Sequence, residues 1–157
     1  MAVRVLIAES SALVRDIIRH HLECAGCEVV AESETAEQAA HLFRTVRPDL
    51  VTLGTELGDG DDDALELCRM IRRESPSTSV IMVDAERAGE NRNLFMREGA
   101  LDCVVEPFDG PSFKQVWRRL AEVYPELRRG SIEQASPAKD ESAAFARTLC
   151  APSSSDC

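Results

Sequence analysis

The chain has 157 residues, a formal net charge of −10 and a pI of about 4.8. That balance argues against binding to nucleic acid or to an anionic membrane surface. No apolar run approaches the roughly 18 residues of a membrane span, and the opening Met-Ala-Val-Arg-Val-Leu-Ile suits a first strand better than a signal peptide. A cytoplasmic protein of one domain with a modest tail is expected.

The elements follow in chain order. Val3 to Ala8 is a short apolar strand, after which Ser10 or Ser11 caps a helix carrying Leu13, Val14, Ile17, Ile18 and Leu22 at helical spacing. Gly26 ends it, and Glu28 to Ala31 is a second strand. Thr35 with Gln38 forms a capping-box pattern before a helix with Ala39, Ala40, Leu42 and Phe43 on its apolar side. Pro48 breaks that helix, and Asp49 to Leu53 runs out as a third strand to Gly54. After the acidic loop Gly58 to Asp63, with Asp63 as N-cap, Ala64, Leu65, Leu67, Cys68 and Ile71 define a helix. Ser79 to Val83 is the fourth strand; Leu94, Phe95 and Met96 lie in the next helix, which Gly99 terminates. Cys103 to Val105 is the fifth strand, and Phe113, Val116, Leu120 and Val123 mark a last helix.

Five apolar strands alternating with five helices predict an α/β fold, a doubly wound five-stranded parallel sheet. The near-continuous apolar strands suit a sheet covered on both faces, and right-handed crossovers favour the flavodoxin-like order 2-1-3-4-5. Residues 1–124 form the expected domain. Residues 125–157 read as a mostly disordered Ser/Ala/Pro-rich tail, in which Ser136-Pro137 can cap a short docking helix with Ala144, Phe145 and Leu149.

Six cysteines invite a framework reading, but no export signal accompanies them. The single Cys24-Ala25-Gly26-Cys27 is too little for a zinc site. Cys24 also sits at a helix C-terminus, where the dipole disfavours a thiolate. Buried or turn thiols are expected. His20, His21 and His41 show no ligand spacing and read as surface or packing residues.

These motifs, in this order, resemble the receiver domain of two-component response regulators, of the CheY-like kind, over about residues 3–123. Val5 to Arg15 is similar to the first strand, acidic pair and helix start. Arg47-Pro48-Asp49-Leu50-Val51 resembles the approach to a phosphorylation site, Leu65 to Cys68 the third helix, and Gly99-Ala100 with Val104 to Phe108 the fifth strand and its turn. The resemblance implies a switch in which an aspartate at the end of the third strand takes a phosphoryl group. Mg²⁺ is then held by that aspartate and an acidic pair, while a hydroxyl and a lysine hold the phosphoryl oxygens.

The residues depart from that pattern at each step. The acidic pair is Glu9-Ser10, the acceptor position is Gly54, the hydroxyl position is Asp84, the lysine position is Glu106 and the aromatic switch position is Cys103. A phosphoryl group set beside Glu9, Asp84 and Glu106 would face like charges at a cost on the order of several kcal/mol. The expectation is therefore a degenerate pseudo-receiver, not an enzyme, with no cofactor and no Mg²⁺. It would act without an output domain and without phosphorylation, by binding a signalling kinase, another regulator or itself. The alternative is a cation or small-ligand sensor using Glu9, Glu56, Asp84 and Glu106. The acidic loop is not an EF-hand, because the glycine and glutamate positions counted from Asp59 are Ala64 and Met70. A partner surface is expected around Phe95, Trp117 and Tyr124. Trp117 is read either as a half-exposed hot spot or as an edge-of-core residue.

Overall fold

In the computed structural model, residues 2–57, 61–84, 92–105 and 110–125 are described. Five strands, β1 (Arg4–Ala8), β2 (Glu28–Ser33), β3 (Leu50–Gly54), β4 (Ser79–Asp84) and β5 (Asp102–Val105), form one sheet in the order β2-β1-β3-β4-β5. Each neighbouring pair is parallel, with Leu6 beside Val51 and Gly54 beside Val83. The helices are α1 (Ala12–Cys24), α2 (Ala36–Val46), α3 (Asp61–Glu74), α4 (Arg92–Arg97) and α5 (Gly110–Val123). The expected fold is thus observed.

Strand alternation divides the core in two. Val5, Ile7, Leu50, Ile81, Val83 and Val104 pack under α1 and α5, against Ile18, Leu22, Phe113, Val116, Trp117 and Leu120. Leu6, Ala8, Val51, Leu53, Val80, Met82 and Cys103 face the other way, against α2, α3 and α4 through Phe43, Leu67, Ile71 and Phe95. Both faces are apolar because both are covered, which is why the strands read as unbroken hydrophobic runs.

Local signals set the helix ends. Ser11 is the N-cap of α1, its hydroxyl accepting from Val14 N–H at 3.3 Å. Thr35 caps α2 through Gln38 N–H, while the Gln38 amide oxygen accepts from Glu34 N–H, one residue earlier than the ideal capping box. Gly26 takes φ 89°, the left-handed turn that lets Cys27 N–H reach back to Leu22 O.

The structure corrects three details of the sequence reading. Asp63 lies inside α3, which begins at Asp61, because acidic residues are well placed in a first turn at the positive end of a helix. Leu13 is 57 % and Val123 45 % exposed. The buried stripe of α1 runs through Ile17, Ile18, His21 and Leu22, and that of α5 passes from Leu120 and Ala121 to Tyr124. The Tyr124 hydroxyl donates to Asp49 O at 2.6 Å and lies 3.0 Å from Ser79 Oγ, tying the end of α5 to the starts of β3 and β4.

His20, His21 and the described thiols turn out to be packing groups, while His41 is exposed. His21 stacks on Phe113 with centroids 4.1 Å apart, and His20 lies 3.7 Å from Cys24 Sγ. Cys24, Cys27, Cys68 and Cys103 are buried; burial pushes the Cys27 thiol up to about 12 and the Cys68 thiol to about 11. The expected tail and its docking helix, with Cys150 and Cys157, lie outside the described residues.

Candidate functional site

The carboxyl ends of β1, β3 and β4 bring Glu9, Gly54 and Asp84 to one end of the sheet. Glu9 follows β1 directly, and its N–H continues the ladder to Ser33 O at 3.0 Å. Its side chain folds inward and is only 7 % exposed. One carboxylate oxygen, Oε2, accepts from Ser11 N–H at 2.8 Å and from the Ser10 hydroxyl at 3.4 Å. The other lies over Gly54: a Cβ built on that glycine would stand 2.3 Å from Glu9 Oε1 and 3.0 Å from Cδ. Real carbon–oxygen contacts do not come so close, so the Glu9 carboxylate occupies the space of a residue-54 side chain. The extra methylene of glutamate over aspartate lets a β1 residue reach across to β3. Glycine at 54 leaves it room.

The surroundings hold this arrangement in place. Arg15, its side chain mostly buried, donates to Glu9 O at 2.7 Å and Ser10 O at 3.3 Å, and pairs with Glu34 across the sheet edge. Ser10 Oγ lies 3.2 Å from Glu56 O, so it ties the loop after β1 to the loop after β3 when its proton turns that way. The Glu56 side chain points into solvent. On the next strands, Thr55 N–H donates to Val83 O at 3.0 Å, and the buried Thr55 hydroxyl donates to Asp84 Oδ1 at 3.3 Å. A hydroxyl one residue past Gly54 thus meets a carboxylate at the end of β4, where the resemblance implies a hydroxyl. Neither Thr55 nor Arg15 was picked out from the sequence. The only signals were a threonine just past a strand end and an arginine in the first helical turn.

Burial raises the Glu9 carboxyl above its ordinary value of 4.5; the Ser11 N–H and Ser10 hydroxyl pull it back, and the Glu56 charge adds to the rise. The folded state therefore binds the Glu9 proton more tightly than the unfolded chain. The stability this confers is complete below pH 4.5 and is lost as pH rises through the elevated value. Urea midpoints of wild type and Glu9→Gln, followed against pH, should converge at the acid end and separate in favour of the variant above it. Parallel curves would show that Glu9 titrates alike in both states.

Cys103 of β5 pairs with Met82 of β4 and faces the α3–α4 side of the core. Burial first, and the Asp84 charge second, push its thiol up to about 12, so it stays a neutral packing group. Glu106 lies outside the described residues. Among the described residues no three carboxylate, histidine or cysteine side chains converge as a metal-ligand set. With the Glu9 carboxylate turned onto Ser11 N–H, they do not form the oxygen cage that the resemblance implies for Mg²⁺.

The expected partner surface does not hold together as drawn. Phe95 is 3 % and Trp117 2 % exposed, and Trp117 packs beside Phe113 with ring centroids 5.8 Å apart. Helical spacing placed Trp117 at the margin of the stripe, but α5 lies flat enough on the sheet to bury both 116 and 117. Tyr124 is half-buried and spends its hydroxyl on the backbone of Asp49.

A parallel sheet in this order, with acidic groups gathered at the carboxyl ends of its strands, defines a CheY-like signalling domain. The chain belongs to the response regulator receiver domain family, which matches residues 5–118. It is similar to the chemotaxis protein CheY of Listeria monocytogenes, 29 % identical over 120 residues that cover 75 % of this chain and 98 % of that protein. The CheY of Bacillus subtilis is 32 % identical over 110 residues, covering 69 % and 88 %. Among solved structures, the receiver domain of AraT from Geobacillus stearothermophilus superposes with a TM-score of 0.69 at 26 % identity, covering 82 % of this chain and 98 % of that one. No helix among the described residues is long and apolar enough to cross a membrane.

Proposed function

We infer that this chain is a phosphorylation-independent receiver, a signalling module of a two-component or chemotaxis-type pathway that works through protein–protein contacts. The observation that carries the reading is the Glu9 carboxylate lying where a residue-54 side chain would begin, 2.3 Å from the position of its Cβ. Gly54 supplies no nucleophile, and the space that an acceptor carboxylate and its phosphoryl group would use already holds a carboxylate. Phosphoryl transfer depends on positive charge around the equatorial oxygens. Among the described residues the charges gathered here are Glu9 and Asp84, and Arg15 spends its guanidinium on the carbonyls of Glu9 and Ser10. Receiver relatives that are chemotaxis proteins make a kinase, another regulator or a second copy of this chain the natural partners.

The test is a titration with beryllofluoride and Mg²⁺, followed by NMR at residues 50–57 and 80–84. The expected result is no saturable shift. Saturable shifts in those segments would overturn the reading, and shifts produced by Mg²⁺ or Ca²⁺ alone would favour a cation sensor instead.

A further inference from the structure

At the opposite end of the sheet from the Glu9 pocket, a cleft of about 350 Å³ opens between the end of α2 and the end of α3. That volume lies in the range of clefts that hold a few side chains or a small ligand. Phe43 and Pro48 supply its apolar wall, and Ser75 and Thr78 line the other side. Its charged groups are not equally engaged. Arg44 is held by Glu74 through two hydrogen bonds of 3.1 and 2.7 Å, and Asp49 turns its carboxylate to Arg4 N–H at 3.0 Å. Arg47 is exposed and carries no ion pair among the described residues. It takes φ 48°, the one non-glycine residue among those described in the left-handed region, as the C-cap of α2 in front of Pro48. Among the described residues the cleft therefore offers one cation without an ion pair, beside an apolar wall.

The end of α5 lies beside this cleft. The Tyr124 hydroxyl donates to the carbonyl of Asp49, a cleft residue, and so fixes the end of α5 beside it. Residues 126–157 follow. Within them Glu141, Phe145 and Leu149 recur every fourth residue, which on a helix places one acid and two apolar side chains on a single face. The acidic neighbour Asp140 adds to the charge. The run from 126 to 140 reaches about 50 Å when extended, far more than the distance from the α5 exit to the cleft requires. A tether of this length keeps its end at a roughly millimolar effective concentration, so a small contact is enough to seat it.

We propose that the cleft between α2 and α3 is the docking site for the chain's own segment 140–149, with Glu141 paired to Arg47 and Phe145 against Phe43 and Pro48. The proposal is independent of the Glu9 pocket, which lies at the other end of the strands. It makes the segment an internal ligand that covers this face of the module until something displaces it.

The chain provides its own probe. Cys27, Cys68 and Cys103 are buried thiols pushed up to about 12, 11 and 12, and Cys24 is buried as well, so a thiol-specific nitroxide reacts with the tail cysteines. With Cys157→Ser, full-length ¹⁵N-labelled protein carries the label on Cys150 alone, next to Leu149. The expected result is selective loss of amide intensity at residues 43–49 and 74–78. That loss should disappear in Arg47→Glu and in Phe145→Ala, and return in the charge-swapped pair Arg47→Glu/Glu141→Arg. A urea midpoint for Phe145→Ala equal to that of wild type shows that its effect does not come from unfolding. Three outcomes would overturn the proposal. They are no selective loss over the cleft, a loss that survives both single substitutions, and a loss that also appears when spin-labelled unlabelled-nitrogen protein is mixed with unmodified ¹⁵N protein. The last would mean that a second copy is the occupant.

Discussion

Gly54→Asp should yield a protein less stable than wild type by about 1–3 kcal/mol that still takes up no phosphoryl group from acetyl phosphate. A Cβ at residue 54 meets Glu9 Oε1 at 2.3 Å, and the new carboxylate extends further into the same space. Glu9 makes room by swinging the end of its side chain away from the Ser11 N–H that caps it, toward Glu56 and solvent. Two carboxylates about 4 Å apart also repel by about 4 kcal/mol at an effective dielectric of 20, unless one of them binds a proton or moves away. Gly54→Ala separates the two effects, since it has the steric clash and not the charge. Glu9→Ala/Gly54→Asp removes both, and the double-mutant cycle should give a favourable coupling within the 0.5–3 kcal/mol typical of touching residues. Urea unfolding measures the stabilities and intact-mass spectrometry the phosphoryl adduct. A Gly54→Asp protein that equals wild type in stability, or gains phosphoryl mass, would show that the pocket is open and its carboxylates independent.

Trp117→Ala should cost about 3–5 kcal/mol, the range for emptying a large aromatic from a core. The indole is 2 % exposed, beside Phe113, which in turn stacks on His21 of α1. Its loss opens a cavity where α1, α5 and the Ile7–Val104 side of the sheet meet. Val123→Ala, on the exposed side of the same helix, should stay within about 0.5 kcal/mol of wild type. Chemical denaturation of both variants distinguishes this from a binding hot spot, which would leave the unfolding midpoint unchanged and weaken only a partner complex. Equal midpoints for Trp117→Ala and wild type would restore the surface reading.

Glu9 and Trp117 show where sequence reading stops. Residue identity at the ends of the strands was enough to set Gly54, Asp84 and Ser10 apart from the pattern that the receiver resemblance implies, because each lies in a short motif at a strand's carboxyl end. It could not say that Glu9 reaches across from β1 to β3. That requires the parallel register that sets Ala8 beside Leu53, and it requires the rotamer that Ser11 N–H selects. The Thr55–Asp84 bond was invisible for the same reason: its partners are 29 residues apart and meet only when β3 and β4 pair. For Trp117 the sequence left a half-exposed hot spot and an edge-of-core residue both open, and its burial bears out the second. A helical wheel gives angular position, whereas burial depends on how closely the helix lies on the sheet.

The sequence by itself therefore determined the order and type of the elements, the parallel sheet they must form and the absence of a nucleophile at residue 54. These follow from apolar periodicity, caps and the chemistry of single side chains. Only the tertiary structure decided what fills the space beside Gly54, which side chains are interior and where the end of α5 is anchored. Each of these is a contact between residues distant in sequence, fixed by strand register and by the packing of α1 and α5 on one face of the sheet.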